Sequence, residues 1–194
     1  MTSPKKKFGI DFDDVLIHFV AHMTEYHNNT YNTSFTRENY TTWDLHDTWK
    51  TSEEEAINRV KDFVISESHK GIPPMEGATG VLNRLSKKYE LIIITARDKA
   101  EINAVQHLIE KHFGNIFSSV HFLYDNGVKE KTKGQLCKDL EIDFFIDDSI
   151  TNVQNTSEAG ITTFLFDAPW NRDFSDSNIT RVHSWKEIEE ILLR

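Results

Sequence analysis

An apolar run, Phe8-Gly9-Ile10, ends abruptly in carboxylates, Asp11-Phe12-Asp13-Asp14. Much later a second run, Phe144-Phe145-Ile146, ends in the same way at Asp147-Asp148. A strand buried on both faces has no use for unpaired charge, so acids at two strand ends constrain the fold strongly. If the two strands are parallel neighbours, Asp11, Asp13, Asp147 and Asp148 gather at the carboxyl edge of one sheet. That edge is where open α/β sheets put their ligands. Like charges so close raise one another's pKa unless a cation lies between them. A donor set made only of oxygen selects a hard ion, Mg²⁺ foremost.

The rest of the chain supports a parallel sheet. Glu90-Leu91-Ile92-Ile93-Ile94-Thr95 is a short continuous apolar run, as expected of a buried parallel strand. Further strands are predicted at 120–124, 143–146, 161–166 and 179–183. Helices are predicted between them at 77–89, 98–113, 132–140, 150–159 and 184–194, the last with a Ser184-x-x-Glu187 start. This alternation argues an α/β protein, a doubly wound parallel sheet with helices on both faces.

Residues 16–74 break the rhythm. They contain no clear strand, two helical stretches at 15–28 and 52–68, and the aromatics Tyr31, Phe35, Tyr40, Trp43 and Trp49. Pro73-Pro74 then interrupts the chain before the alternation begins. The segment reads as a small helical cap inserted after the first strand, over the acidic edge, with residues 1–15 and 75–194 forming the core.

Asp11 and Asp13 are two apart, which at a strand end sends both side chains to one side. One carboxylate can attack while the other manages protons, provided a metal neutralises the first. A pair of acidic turn residues is spelled the same way. The Thr95 hydroxyl, at a predicted strand end before Ala96-Arg97, can bind a phosphoryl oxygen or simply leave the strand. Lys129, Lys131 and Lys133 lie upstream of the strand that ends at Asp147. One of them can offset the carboxylates and hold a phosphate as a point charge. His18 and His22 have zinc-ligand spacing on a helix, but no third ligand accompanies them.

The ordered set, Asp11-x-Asp13 after the first strand, Thr95 after the second, and a lysine before the Asp147-Asp148 strand end, resembles the haloacid dehalogenase (HAD)-like hydrolase superfamily. The resemblance covers the whole chain. It implies a doubly wound sheet with a helical cap and a Mg²⁺-dependent phosphomonoesterase working through an aspartyl-phosphate. Asp11 is then the nucleophile and Asp13 the general acid/base. Thr95, Arg97 and Lys133, with Lys131 and Lys138 as alternatives for the lysine, hold the phosphoryl group or substrate, and Asp11, Asp13, Asp147 and Asp148 hold the metal. The Thr95-Ala96-Arg97 and Ala168-Pro169-Trp170-Asn171 segments are similar to the 5′(3′)-deoxyribonucleotidase-like branch. That similarity implies a nucleoside monophosphate substrate, with Trp43 as the first choice for stacking on its base. Other sugar phosphates or small phosphate esters are the alternative. Asp14 departs from the pattern, since many members carry Gly there.

A net charge of −9 over 194 residues gives no general pull toward nucleic acid polymers or anionic membranes. Lys5-Lys6-Lys7 reads as a solvated arm. With no signal-peptide core and a single cysteine, Cys137, the expected location is cytoplasmic. Two non-hydrolase readings remain at this stage. A receiver-type phospho-acceptor domain places its acidic pair first rather than after the Thr and Lys. A binding module without turnover has no use for the complete set of polar residues.

Overall fold

The computed structural model describes residues 4–42 and 44–194. Seven strands form one sheet among these residues: β1 (Lys6–Ile10), β2 (Tyr89–Asp98), β3 (Phe117–Asp125), β4 (Val128–Lys129), β5 (Phe144–Asp147), β6 (Thr162–Phe166) and β7 (Ile179–Val182). Their spatial order is β4-β3-β2-β1-β5-β6-β7. All neighbours are parallel except the β3–β4 hairpin. From β1 the chain builds outward to β2 and β3 on one side, and later to β5, β6 and β7 on the other. The switch of direction falls between β1 and β5, and there the connections leave a crevice at the carboxyl ends. Ile10 pairs with Ile146, so Asp11 and Asp147 leave the sheet side by side.

Residues 19–70 carry helices α1 (Phe19–Tyr31), α2 (Leu45–Trp49), α3 (Glu53–Ile65) and α4 (Glu67–Lys70). The core adds α5 (Ala78–Leu85), α6 (Ile102–His112), α7 (Lys133–Asp139), α8 (Ile150–Glu158) and α9 (Trp185–Leu192). Strand alternation divides the burial. Leu91 and Ile93 of β2 face one cluster with Val105, Leu108, Trp185 and Ile188. Ile92 and Ile94 face the other, with Cys137, Ile142 and Phe145. Both faces of the sheet are therefore dry, which is why its strands read as unbroken apolar runs.

The two connections to the helical segment are tied together. The Met75 N–H donates to Leu16 O at 2.8 Å, the His18 N–H donates to Pro73 O at 3.2 Å, and Ile17 bridges Pro74. Within the segment, Phe19 packs edge-on against Phe63, Tyr40 meets Trp49, and all four are buried in the first cluster. The Trp49 indole N–H donates to the Tyr40 hydroxyl at 2.9 Å, satisfying both polar tips.

Several boundaries differ from the sequence expectation. Lys6 and Lys7 belong to β1 rather than to a solvated arm, and the Lys7 N–H donates to the Asp143 carboxylate. The first helix begins at Phe19, not Val15, because residues 11–18 form a tight loop in which Leu16 and Ile17 donate to Phe12 O. β2 continues past Thr95 to Asp98. Asp98 opens a single 3₁₀ turn, Lys99–Glu101, before α6. The β3–β4 hairpin turns on Asn126 and Gly127, both at positive φ (51° and 78°), a two-residue turn that matches strand twist.

Candidate active site

Asp11, Asp147 and Asp148 converge at the crevice. One carboxylate oxygen from each lies within 4.8 Å of the others, and all three residues are buried. The cause is topological: β1 and β5 are neighbours, and each ends one residue short of, or at, its acid. Loop contacts fix the aim. Asp147 accepts from the Ser149 N–H at 2.8 Å and from Asn152 Nδ2 at 3.2 and 3.3 Å. Asp148 Oδ2 accepts from Trp170 Nε1 at 2.7 Å, and its backbone carbonyl accepts from Asn171 Nδ2 at 2.8 Å. Ala168–Asn171 thus clamps the β5 exit from the neighbouring β6 loop.

Lys133 reaches into this cluster and donates to both Asp11 and Asp147. It is the first residue of α7, behind a Thr132–Gln135 capping box. Its neighbour Gly134 explains the placement. A Cβ at Gly134 would collide with the Asn155 carbonyl of α8, so only glycine lets α7 press so close. Lys131 pairs instead with the surface residue Asp139 at 2.5 Å.

Burial pushes the Asp11 carboxyl up to about 8. Lys133 pulls it back only in part, and Asp147 and Asp13 push it further up. Burial, then Asp147 and Asp11, also raise Asp148 well above the ordinary carboxylate range. Burial alone would lower the Lys133 ammonium, but Asp11 and Asp147 together outweigh it, so the group stays charged. One ammonium cannot balance three ionised carboxylates, so without a cation protons take up part of the charge. The donor set is oxygen only, which fits Mg²⁺.

The other expected residues take distinct places. Both Asp13 oxygens accept from Arg97, so its carboxylate is not one of the three that converge. Arg97 is spent on that contact. Its Nη1 also donates to His69 of α4 at 2.9 Å and to Glu101 at 3.2 Å, and its guanidinium lies over the Phe12 and Phe19 rings. Arg97 was expected to face substrate, but its remaining capacity for a phosphate is small. Thr95 is fully buried, and its hydroxyl accepts from the Arg97 N–H at 3.2 Å. Trp43 lies outside the described residues. His18 and His22 do not join any ligand cluster among the described residues.

Asp14 is fully buried with φ at 52°, the left-handed conformation that glycine adopts at no cost. The carboxylate there has a structural use. Its Oδ2 accepts from the Val20 N–H at 2.9 Å, capping α1 from six residues upstream. Burial pushes its carboxyl up to about 7, with Arg37 opposing. Sequence reasoning missed Arg37, His69 and Glu101: Arg37 and His69 meet the site only through contacts distant in sequence, and Glu101, four residues from Arg97, belongs to no motif. Trp170 carried a signal, in the Ala168–Asn171 segment.

A sheet switched between β1 and β5, with an acidic crevice and a buried lysine, is the architecture of a HAD-like hydrolase. A haloacid dehalogenase-like family hydrolase from Streptococcus pneumoniae superposes with a TM-score of 0.71 at 14% identity, covering 96% of this chain and 98% of that one. Residues 6–194 match the family described as 5′ nucleotidase, deoxy (pyrimidine), cytosolic type C protein, and the chain belongs to that family. It is 29% identical over 192 residues to the 5′(3′)-deoxyribonucleotidase of Bacillus subtilis, covering 97% of this chain and 99% of that one. It is 26% identical over 168 residues to a nucleotidase of Clostridium acetobutylicum, covering 86% and 83%. The protein is accordingly an enzyme of the phosphatase and nucleotidase class. No helix among the described residues is long and apolar enough to cross a membrane.

Proposed function

We propose that the protein is a Mg²⁺-dependent phosphomonoesterase that acts through an aspartyl-phosphate, with nucleoside monophosphates, deoxynucleotides among them, as substrates. The observation that carries this reading is the placement of Lys133 between Asp11 and Asp147 beside Asp148. Asp11, Asp147 and Asp148 would hold the metal. Bound there, Mg²⁺ supplies charge neutralisation, so that two anions, carboxylate and phosphate, can approach each other.

An Asp11 oxygen attacks phosphorus in line, and the bond from phosphorus to the leaving alkoxide breaks. Asp13 gives the alkoxide its proton. Water then attacks the aspartyl-phosphate, Asp13 takes its proton, and the phosphorus–Asp11 bond breaks to free phosphate. Each transfer requires one of the two Asp13–Arg97 contacts to open. Lys133 and the Thr95 hydroxyl offer donors to the equatorial oxygens as charge moves onto them. The helical segment 16–74 acts as a cap whose inner surface meets the leaving group rather than the phosphoryl group.

A panel of nucleoside monophosphates, sugar phosphates and p-nitrophenyl phosphate, assayed with Mg²⁺, tests the substrate. Acid quenching during turnover of a ³²P-labelled ester tests the intermediate. Label should stay on the wild-type protein and be lost in Asp11→Asn. Asp13→Asn should slow turnover by roughly 10²–10⁴-fold, the scale of a lost general acid/base. Unlabelled wild-type protein, or an active Asp11→Asn, would refute the covalent route.

A further inference from the structure

We infer that Arg37 is a specificity-determining residue that donates hydrogen bonds from the cap to the nucleoside half of the substrate, a reading that rests on the nucleotidase function proposed above. Three cationic side chains stand around the crevice among the residues described, and two are occupied. Lys133 is shared by Asp11 and Asp147. Arg97 is taken by Asp13, His69 and Glu101. Arg37 keeps unused capacity. Its Nη2 makes one long contact, 3.5 Å, to Asp14 Oδ1, and its Nε is buried with no hydrogen-bond partner. A buried N–H without an acceptor is destabilising, so an acceptor arriving with substrate recovers that cost.

The position of Arg37 fits that role. Its guanidinium lies over the Trp170 ring, 4.9 Å from the centroid, and the Trp170 indole N–H holds Asp148. Arg37 is therefore one side chain away from the acidic cluster, yet it belongs to the helical segment, in the 3₁₀ turn Arg37–Asn39. That turn is fixed to the core by the Glu38–Arg172 ion pair at 2.5 Å. The phosphoryl group is served from the sheet side by Lys133 and Thr95. A donor fork entering from the cap side meets what lies beyond the ester oxygen, namely the sugar hydroxyls and base acceptors of a nucleotide. His18 cannot supply the same charge, since burial and then Arg37 itself lower its pKa.

The test compares kcat/KM for the best nucleotide with that for p-nitrophenyl phosphate in wild type, Arg37→Lys, Arg37→Gln and the double variant Asp14→Asn/Arg37→Gln, with melting curves alongside. Asn tolerates the left-handed backbone at position 14, and the double variant removes the buried carboxylate that Arg37→Gln would strand. The expected result is a fall in the nucleotide-to-nitrophenyl ratio of about 10–100-fold in Arg37→Gln, the size of a lost charged hydrogen bond, carried mainly by KM. Arg37→Lys should recover only part of it. The double variant should regain melting temperature but not the ratio. An equal fall for both esters would assign Arg37 to the phosphoryl group and overturn the inference. Recovery of the ratio in the double variant would reduce Arg37 to a counter-charge for Asp14 and also overturn it. If the wild type prefers a non-nucleotide ester, the nucleotidase reading fails on its own, and the same ratio taken with that ester still tests Arg37.

Discussion

Arg97 holds Asp13 with a two-pronged grip, Nε to Oδ2 at 2.9 Å and Nη2 to Oδ1 at 2.8 Å. The guanidinium is itself fixed by His69 and Glu101 and by two aromatic faces. Such a planar fork sets the direction of a carboxylate in a way a point charge cannot. Arg97→Lys keeps the charge and loses the fork. Its kcat should fall by about 10²-fold, the cost of a small misplacement of a reacting group, with less change in KM. A rise in KM at constant kcat would mean that Arg97 binds the phosphate directly.

Metal binding should be linked to proton release. Without metal, the Asp11 carboxyl is pushed up to about 8, mainly by burial. The folded protein then holds a proton that the unfolded chain, at an ordinary carboxylate pKa near 3.9, has already lost. Stability of the metal-free form should therefore fall as pH rises from about 4 to about 8. Mg²⁺ held by Asp11, as proposed, would displace that proton, so its affinity should rise with pH and level off above about 8. Melting curves at pH 6 and pH 9 check this. At a hundred times its dissociation constant Mg²⁺ should add about 2.7 kcal/mol, and EDTA should remove that gain together with activity.

Gly134→Ala forces a methyl group into the Asn155 carbonyl at the α7–α8 contact. Overpacking of this kind costs about 1–3 kcal/mol. Because Lys133 precedes the clash, activity should fall by more than the stability loss explains. Denaturant unfolding and kcat measured well below the melting point separate the two effects. Unchanged stability would show that α8 yields easily.

His27 gives an acid-side prediction far from the chemistry. It is buried, stacks on Trp49 at 4.3 Å, and meets Thr33 through Nδ1 and Arg59 through Nε2. Burial, then Arg59, push its pKa down to about 4. Between pH 6.5 and about 4 the unfolded chain binds a proton that the folded one refuses, so this stabilisation is present above pH 6.5 and lost as pH falls. The wild type should be more stable than His27→Gln at pH 7.5. That advantage should shrink by about 3 kcal/mol on acidification to pH 4. A constant advantage would mean that His27 titrates normally.

Much of the site was legible because its signals are local. Carboxylates that end apolar runs at Asp11 and Asp147 need only strand pairing to converge, and Lys133 needs only the start of α7. What was not legible depends on long contacts. Thr95 seemed to close β2, yet pairing with β3 carries the strand to Asp98. Arg97 could not be separated from a phosphate binder until His69, 28 positions away, and Asp13, 84 positions away, were seen to share it. The β3–β4 hairpin went unread, because the strand that follows its Asn126-Gly127 turn is only two residues long. Asp14 looked like an oddity in place of glycine, and its partners Val20 and Arg37 explain it.

The paired neck at Leu16–Ile17 and Pro74–Met75 has a consequence for how such enzymes diversify. Its two ends meet through backbone hydrogen bonds that make no demand on side chains. A different insert can enter at the same two points without breaking the sheet, provided it brings its own partners for Arg97 where this one brings Phe19 and His69. The neck is a socket, and an evolving lineage, or an engineer, can change the plug so long as those contacts come with it.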